Sequence, residues 1–220
     1  MKKLILITVV IIFTAISSCS ENDSEMPLSD VTLSQEEIDD LILIGEKLIL
    51  TQQEIDDLLF LREEEKLARD VYLYSFDKYG VAIFGNISKS EQKHMDQVLI
   101  LLNAYQLIDP ASTERGVFTN QTLQNLYNDL IAQSDISLKD ALAIGATIED
   151  LDIKDIEENI DRTIKVDILN VYDNLKCGSR NHLRNYMSQL VLNGGDYTPQ
   201  YISLIEFTEI INSANERCSQ

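Results

Sequence analysis

The chain has 220 residues, of which 37 are acidic and 18 are basic, so its formal net charge is −19 at pH 7. This acidity repels the phosphates of nucleic acids and anionic lipid surfaces, and it argues against a role in binding nucleic acid. Only 8 glycines and 3 prolines interrupt the chain, and its length suffices for one domain with a sizeable hydrophobic core.

The N-terminal segment predicts export. Two lysines precede an apolar run from residue 4 to residue 16, which is too short and wrongly flanked for a stable membrane span. This order is typical of a signal peptide over residues 1–18, and its end resembles the bacterial lipobox, in which Cys19 is lipidated and becomes the new N-terminus. The alternative is a signal cleaved elsewhere, with Cys19 incidental. We expect an exported lipoprotein, periplasmic or on the cell surface, that meets the membrane only through its lipid anchor.

Two copies of one short motif follow the signal. The acidic, polar tract at 19–32 is typical of a flexible tether, and residues 33–49 then begin with LSQEEIDDL, which is nearly repeated as LTQQEIDDL from residue 50. Each copy places Ser or Thr three residues before Glu, which is the capping box of a helix N-terminus. The copies predict a short helix from about 34 to 46 and a longer one from about 52 to 79.

Apolar residues recur at helical spacing through the rest of the chain, and no stretch alternates as a strand would. Gly80 is expected to end the first long helix, with an irregular connection at 81–87 and a second helix from Ser88 to about Gln106. Further helices are predicted at 120–133, after Ser137, from about 166 to 192, and from Thr198 to about 213. The pattern predicts an all-α fold, a four-helix bundle over residues 50–213 with extra short helices.

Acidic and histidine side chains lie within these apolar stripes. His94 follows Glu91 by three residues, so both share a helix face and can reach one metal ion. Glu65 interrupts an apolar row of the first long helix, and Glu64 on the adjacent row is its rival. An acid buried without a partner is very costly, and a bound metal removes that cost. The other candidate ligands are Glu149, Asp152 and His182 on the third and fourth long helices.

Each candidate also has a simpler interpretation. Glu91 lies three residues after Ser88 and can complete a capping box, and a lone His94 is more often packed or exposed. The glutamates of 63–65, followed by basic residues, are usually a solvated and ion-paired face. The acids of 150–158 lack the glycine and spacing of a calcium loop and can be plain surface. The joint pattern, with a candidate ligand on each of four long helices, favours a metal site.

Several of these segments resemble ferritin-like proteins. EKLARDVY at 65–72 is similar to the first helix motif of rubrerythrins, and Glu91 with His94 is similar to the ExxH of their second helix. Glu149 and Asp152 occupy the place of their paired third-helix acids, and His182 aligns with their fourth-helix histidine. The span from about 50 to 212 further resembles a prokaryotic ferritin-like family known only as domain of unknown function 2202, through REEEKLARDVY at 62–72, GSRNHLR at 178–184 and YTPQY at 197–201.

The resemblance implies a carboxylate centre with two iron ions or with manganese. Glu65, Glu91 and His94 would hold one side, and Glu149, Asp152 and His182 the other. It implies oxidation of Fe(II) by O2 or peroxide, or reduction of peroxide, and it assigns no catalytic residue.

Two departures from rubrerythrins stand out. Where they carry a carboxylate three residues before the last histidine, this chain has Ser179, so a bridging ligand is missing unless Asp152 replaces it. Glu65 and Glu91 are also closer in sequence, and an extended stretch at 80–87 would bring them together. The chain has no C-terminal CxxC pair for a rubredoxin-type iron centre.

Other residues have open roles. Tyr72 and Tyr186 either pack or relay an electron. Arg180 and Arg184 are candidate partners of the site acids. Two cysteines, at 177 and 218, can pair after export, although their spacing does not decide this. The oligomeric state is open, with a dimer among the options.

Two alternative functions remain. The bundle can be a metal-free, surface-exposed helical module that binds a partner, with Arg69, Arg180 and Arg184 neutralising the acids. The acidic surface can also bind calcium weakly, which salt would abolish and which would not depend on either histidine.

Overall fold

The computed structural model describes residue 34 and residues 49–218. The signal peptide expected at 1–18, the tether at 19–32 with Cys19, and nearly all of the short segment at 33–49 lie outside the described residues. All regular secondary structure within the described part is helical, as predicted. None of the described helices is both long enough and apolar enough to cross a membrane. The helices are α1 (Gln52–Tyr79), α2 (Ala82–Ala104), α3 (Gln121–Ser134), α4 (Leu138–Ile160), α5 (Val166–Leu192) and α6 (Leu204–Asn212).

The first long helix begins and ends as its sequence predicts. Thr51 accepts a hydrogen bond from the backbone of Glu54, and the side chain of Glu54 accepts one from the backbone of Thr51 in return. Gly80 terminates the helix with a φ of 65°, a left-handed conformation that glycine adopts without steric cost.

The turn after α1 differs from the prediction. The expected connection at 81–87 is wrong, because α2 begins at Ala82 and the chain reverses within two residues. Ser88 is no cap: it lies inside α2, and its hydroxyl donates to the carbonyl of Gly85. Glu91 therefore lies in the helix interior and completes no capping box, and helix pairing rather than an extended return brings it back to α1.

The start of the last helix is also corrected. α6 begins at Leu204 with Ser203 as its cap, whereas the predicted start at Thr198 lies in a loop. The backbone N–H groups of 200–202 donate to the buried carboxylate of Asp150. These bonds hold the loop against α4, so Asp150 is a structural anchor rather than plain surface.

The four long helices form a bundle with one long crossover. α1 packs beside α2 and α4, and α5 packs beside the same two helices. Hydrogen bonds between Tyr72 and Glu149, and between Arg162 and Asp57, show that α1 and α4 are antiparallel. α1 and α5 therefore run one way, and α2 and α4 the other. The connection from 105 to 137 returns the chain from α2 to α4 and carries α3, which packs on α1 and α4.

The apolar core is divided into two clusters. One cluster includes Leu58, Leu61 and Leu175, and the other includes Ala68 and Leu183. Each long helix passes from one cluster to the other through a layer of buried acids and histidines at its middle. The bundle thus places the predicted ligands in one charged layer between two apolar ones.

Candidate metal centre

Five buried side chains converge in the charged layer. Potential ligand atoms of Glu65, Glu91 and His94 lie within 4.8 Å of one another, and so do those of Glu91, Glu149 and His182. Glu91 belongs to both groups, with one oxygen 2.8 Å from Nδ1 of His94 and the other 2.8 Å from Nδ1 of His182. The two imidazole centroids are 5.5 Å apart. The arrangement is two three-residue groups that share one carboxylate.

A glycine makes room for one of the histidines. A Cβ at Gly178 would lie 2.5 Å from Nε2 of His94, closer than any real contact. Glycine inside a helix costs about 1 kcal/mol relative to alanine, so its position in the middle of α5 needs a reason, and the imidazole supplies one. This role of Gly178 was not predicted, although a glycine within a predicted long helix is a recognisable signal.

Five atoms of the cluster have no hydrogen-bond partner beyond the cluster itself. They are Oε1 of Glu65, both oxygens of Glu91, Oε2 of Glu149 and Nδ1 of His182. Among the described residues these acids form ion pairs only with His94 and His182, at distances from 2.8 to 3.4 Å. Three buried carboxylates thus share two imidazoles, and a buried carboxylate that is not fully compensated costs several kcal/mol. A cation coordinated by these oxygens and imidazole nitrogens would remove that cost, so the residues present fit a metal centre.

The cluster holds both histidines protonated when no metal is bound. Burial lowers the pKa of His182, but Glu91 and Glu149 outweigh burial and raise it to about 10. Burial also lowers the pKa of His94, but the charges of Glu65 and Glu91 outweigh it and raise this pKa well above its usual value. Burial raises the pKa of Glu65 to about 7 against the charge of His94. Burial also acts to raise the pKa of Glu91, but the two imidazoles hold it below its usual range.

Asp152 and Glu64 are buried beside this cluster. Among the described residues neither belongs to a group of three convergent ligand atoms. The pKa of Asp152 is raised well above its usual value, mainly by burial and further by the negative charges of Glu64 and Glu65. Burial, with a further contribution from the charge of Asp155, also raises the pKa of Glu64 well above its usual value. Glu65 is therefore the α1 residue that reaches His94. Ser179, which stands where rubrerythrins carry a carboxylate, donates its hydroxyl to the carbonyl of Leu175.

The expectation of a solvated face at residues 63–65 is wrong. All three glutamates are at most 2% exposed, because α1 packs against α2, α3 and α4 and successive helical side chains point about 100° apart. Glu63 accepts hydrogen bonds from the backbone N–H groups of Thr119 and Asn120. It thereby holds the start of α3, while its two neighbours turn towards the charged layer.

Tyr72 does more than pack. Its hydroxyl donates to Oε1 of Glu149 at 2.6 Å, which fixes the orientation of that carboxylate. Its ring lies 5.1 Å from that of Tyr186, and Tyr186 fits because a Cβ at Gly145 would lie 2.4 Å from its ring. Tyr72 therefore positions a candidate ligand, and Tyr186 supports Tyr72.

The arginines expected beside the site acids lie elsewhere. Arg180 and Arg184 both bind Glu216 in the C-terminal tail. They lie two residues on either side of His182, and side chains two apart on a helix point in different directions. Arg69 binds Asp70 and Gln92. The suggestion that these three arginines neutralise the site acids in a metal-free module is therefore wrong.

The C-terminal tail forms one wall of an open groove. The disulfide between Cys177 and Cys218 fastens the tail to α5, beside the ion pairs of Glu216. The groove has a volume of about 830 Å³ and reaches both His94 and His182. The histidine side of the cluster therefore faces solvent through this groove.

The fold and site define an all-helical bundle with a buried layer of glutamates and histidines. Residues 54–214 match the family described as an uncharacterized protein domain, DUF2202, and the chain belongs to this family. The chain is 52% identical over 157 residues to the uncharacterized protein MJ0754 of Methanocaldococcus jannaschii, which covers 71% of this chain and 85% of that protein. The crystal structure of hypothetical protein MJ0754 from Methanococcus jannaschii matches with a TM-score of 0.75 and 49% identity, over 76% of this chain and 97% of that one.

These comparisons confirm the predicted family and the all-α fold. The name of this relative states no ligand and no activity.

Proposed function

We propose that this protein holds two metal ions, both iron or iron with manganese, in a ferritin-like carboxylate centre inside the bundle. The observation that carries the proposal is the double role of Glu91. Its two oxygens face two separate imidazoles, and each imidazole has a further glutamate beside it. One carboxylate between two such groups is the arrangement that a bridged pair of metal ions requires.

The chain topology supports the ferritin-like assignment. A four-helix bundle with one long crossover is the connectivity of ferritin-like folds, and in their di-iron proteins all four helices supply inward-facing acids and histidines. Here α2 supplies a complete Glu-x-x-His pair, while α5 supplies His182 with Ser179 in the acidic position. The proposed centre is therefore asymmetric, with five ligands and Asp152 next to it.

The donor types favour iron and manganese. Carboxylate and imidazole ligands suit these ions, whereas iron–sulfur centres require thiolates. Both cysteines that the structure describes are joined in the disulfide and stand outside the convergent groups. Each imidazole has two carboxylates beside it, and carboxylates suit hard divalent ions better than soft ions.

Iron bound here supplies oxidation of Fe(II) by O2 or peroxide, or reduction of peroxide. The chain's own residues have separate tasks. Tyr72 orients Glu149, Gly178 leaves space for His94, and the groove gives a small oxidant access to the histidine side. Because both histidines are protonated without metal, binding must release protons and strengthens as the pH rises.

The cellular location is a separate part of the proposal. A lipid anchor at Cys19 and export to the periplasm or cell surface remain predictions from the signal sequence. The disulfide between Cys177 and Cys218 supports them, because disulfides persist in oxidising compartments outside the cytosol.

Metal analysis of protein purified without added metal tests the proposal. We expect about two iron or manganese ions per chain, and loss of most of them in His94→Ala and His182→Ala. The exposed change Glu209→Gln is the matched control and should leave the content unchanged. A wild-type protein without metal, whose melting temperature ignores Fe(II) and Mn(II), would instead support the partner-binding module.

A further inference from the structure

A second set of acids lies on the α1 and α4 side of the bundle. Asp152 follows Glu149 by three residues, and Asp155 follows Asp152 by three, so these acids form a row along α4. Glu64 faces this row from α1. The row begins at Asp155, which is half-buried, and ends at the proposed centre.

Two of these acids are buried with no hydrogen-bond donor. Both oxygens of Glu64 and both oxygens of Asp152 lack a donor, although the two side chains are at most 2% exposed. The polar group beside Glu64 is a further acid, Asp155, which can share a proton with it but brings no positive charge. The sequence neighbours of Glu64 and Asp152 differ sharply. Glu63 accepts two backbone hydrogen bonds, and Asp150 accepts three together with one from a tyrosine hydroxyl. This bundle satisfies its structural acids, so Glu64 and Asp152 require a different explanation.

A small cavity borders these two acids. It has a volume of about 20 Å³ and is lined by Glu64 and Asp152, with mainly apolar side chains around them, among them Leu126 and Leu130. A space of this size holds one water-sized particle. The two hydroxyl side chains in the lining are Thr147, which donates to the carbonyl of Ala143, and Tyr201, and neither makes a hydrogen bond to Glu64 or Asp152. The particle that best balances two carboxylates is therefore a cation.

We propose that Glu64 and Asp152 form a separate holding site for one divalent cation of the Fe(II) or Mn(II) class. Carboxylate oxygens are the ligands that hard divalent ions prefer, and two carboxylates can offer up to four of them to one ion. Asp155 receives the ion at the surface, and Asp152 passes it towards Glu65 and Glu149. The destination of the ion rests on the proposed function, whereas the holding site depends only on the unpartnered acids.

This side of the bundle is distinct from the histidine groove. The groove is framed by α2, α5 and the C-terminal tail, and of the five convergent residues only His94 and His182 line it. The acid row lies between α1 and α4. Metal ions and the oxidant therefore approach the centre from different sides.

Titration of the metal-free full chain with Mn(II), followed by the EPR signal of free Mn(II), tests the holding site. We expect about three ions for the wild type and one fewer for the isosteric double variant Glu64→Gln/Asp152→Asn. His94→Ala/His182→Ala should lose the centre and keep the ion that the first double variant loses. Unchanged thermal melting of the first variant, measured with chelator, confirms that it folds.

A second measurement does not depend on that double variant. Asp155→Asn, at a half-buried position, should leave the number of bound ions unchanged and slow the loading of Co(II), followed by its visible absorption, by about tenfold. Asp173→Asn, an exposed acid on α5, is the control and should load at the wild-type rate.

The outcomes separate this inference from the proposed function. Equal ion numbers and loading rates in the wild type and the acid-row variants would overturn the holding site, and would indicate carboxyl groups that share a proton. A wild type that binds one ion, retained in the double histidine variant and lost in Glu64→Gln/Asp152→Asn, would support the holding site and contradict the two-ion centre.

Discussion

The two sides of the charged layer differ in how their buried groups are balanced. On the α2 and α5 side, His94 and His182 bring positive charge to the glutamates and face an open groove. On the α1 and α4 side, Glu64 and Asp152 have no positive partner and line an enclosed cavity. The protein itself can neutralise the first side without metal. The second side needs a proton or a cation from outside.

The largest effect should follow from changing the residue shared by both groups. Glu91→Gln removes the carboxylate between the imidazoles, and we expect the affinity for both metal ions to fall by at least about 100-fold. Metal content after dialysis against a weak chelator measures this, with Glu209→Gln as control. Retention of both ions would show that Glu91 bridges nothing.

Cutting the disulfide should affect the histidine side alone. Cys177→Ser frees a tail whose bridged cysteines are 41 residues apart, and we expect a loss of about 3 kcal/mol in the free energy of unfolding. Urea denaturation measures this, and reduction of the wild type should reproduce it. Mn(II) binding by Glu64 and Asp152 should persist, and its loss would contradict the independence of the two sides.

A single methyl group should disturb the position of one imidazole. Gly178→Ala places a Cβ 2.5 Å from Nε2 of His94, and we expect a destabilisation of about 2 kcal/mol. Gly85→Ala is the matched control, because there the nearest contact is 3.1 Å from the ring of Phe76. Equal thermal stability of the two variants would mean that His94 does not need the space.

The smallest expected effect is the change of thermal stability with pH. Glu65 and His182 have folded pKa values of about 7 and about 10, both above their unfolded values. Groups of this kind stabilise the fold at low pH, and their contribution is lost as the pH rises from about 4.5 to 10. The melting temperature of metal-free protein should therefore fall by about 2–4 °C per pH unit.

Added metal should reverse this trend, because metal binding releases protons and strengthens as the pH rises. His182→Ala should weaken the fall between pH 7 and pH 10. A melting temperature that rises over that interval without metal would contradict protonated histidines in the cluster.

Helix limits were predictable where local signals determine them. The capping box at Thr51 and the left-handed glycine at position 80 act within a few residues, and the structure has both. The same reasoning failed at Ser88, because a capping motif inside a helix looks identical to one at its start. It failed at Thr198 because Asp150, far away in sequence, takes the backbone N–H groups of that loop.

The candidate site was predictable in part for similar reasons. Glu91 and His94 share a helix face, and the apolar row around Glu65 identifies it as buried. The contact of α1 with three other helices could not be deduced from one helix at a time. The burial of Glu63 was therefore missed, and the choice between Glu64 and Glu65 stayed open. Gly178 was missed because its reason is a ring on another helix.

The two-residue turn between α1 and α2 fixes which residues of these helices face each other. One inserted residue there would rotate α2 by about 100° relative to α1, and Glu91 and His94 would turn away from Glu65. The connection from 105 to 137 is held at separate points, among them the N–H groups of Thr119 and Asn120 that donate to Glu63, and it can lengthen between these points without changing which faces of α1 and α2 meet. Natural variation in chain length within this fold should therefore accumulate in the crossover and spare the hairpin at Gly80.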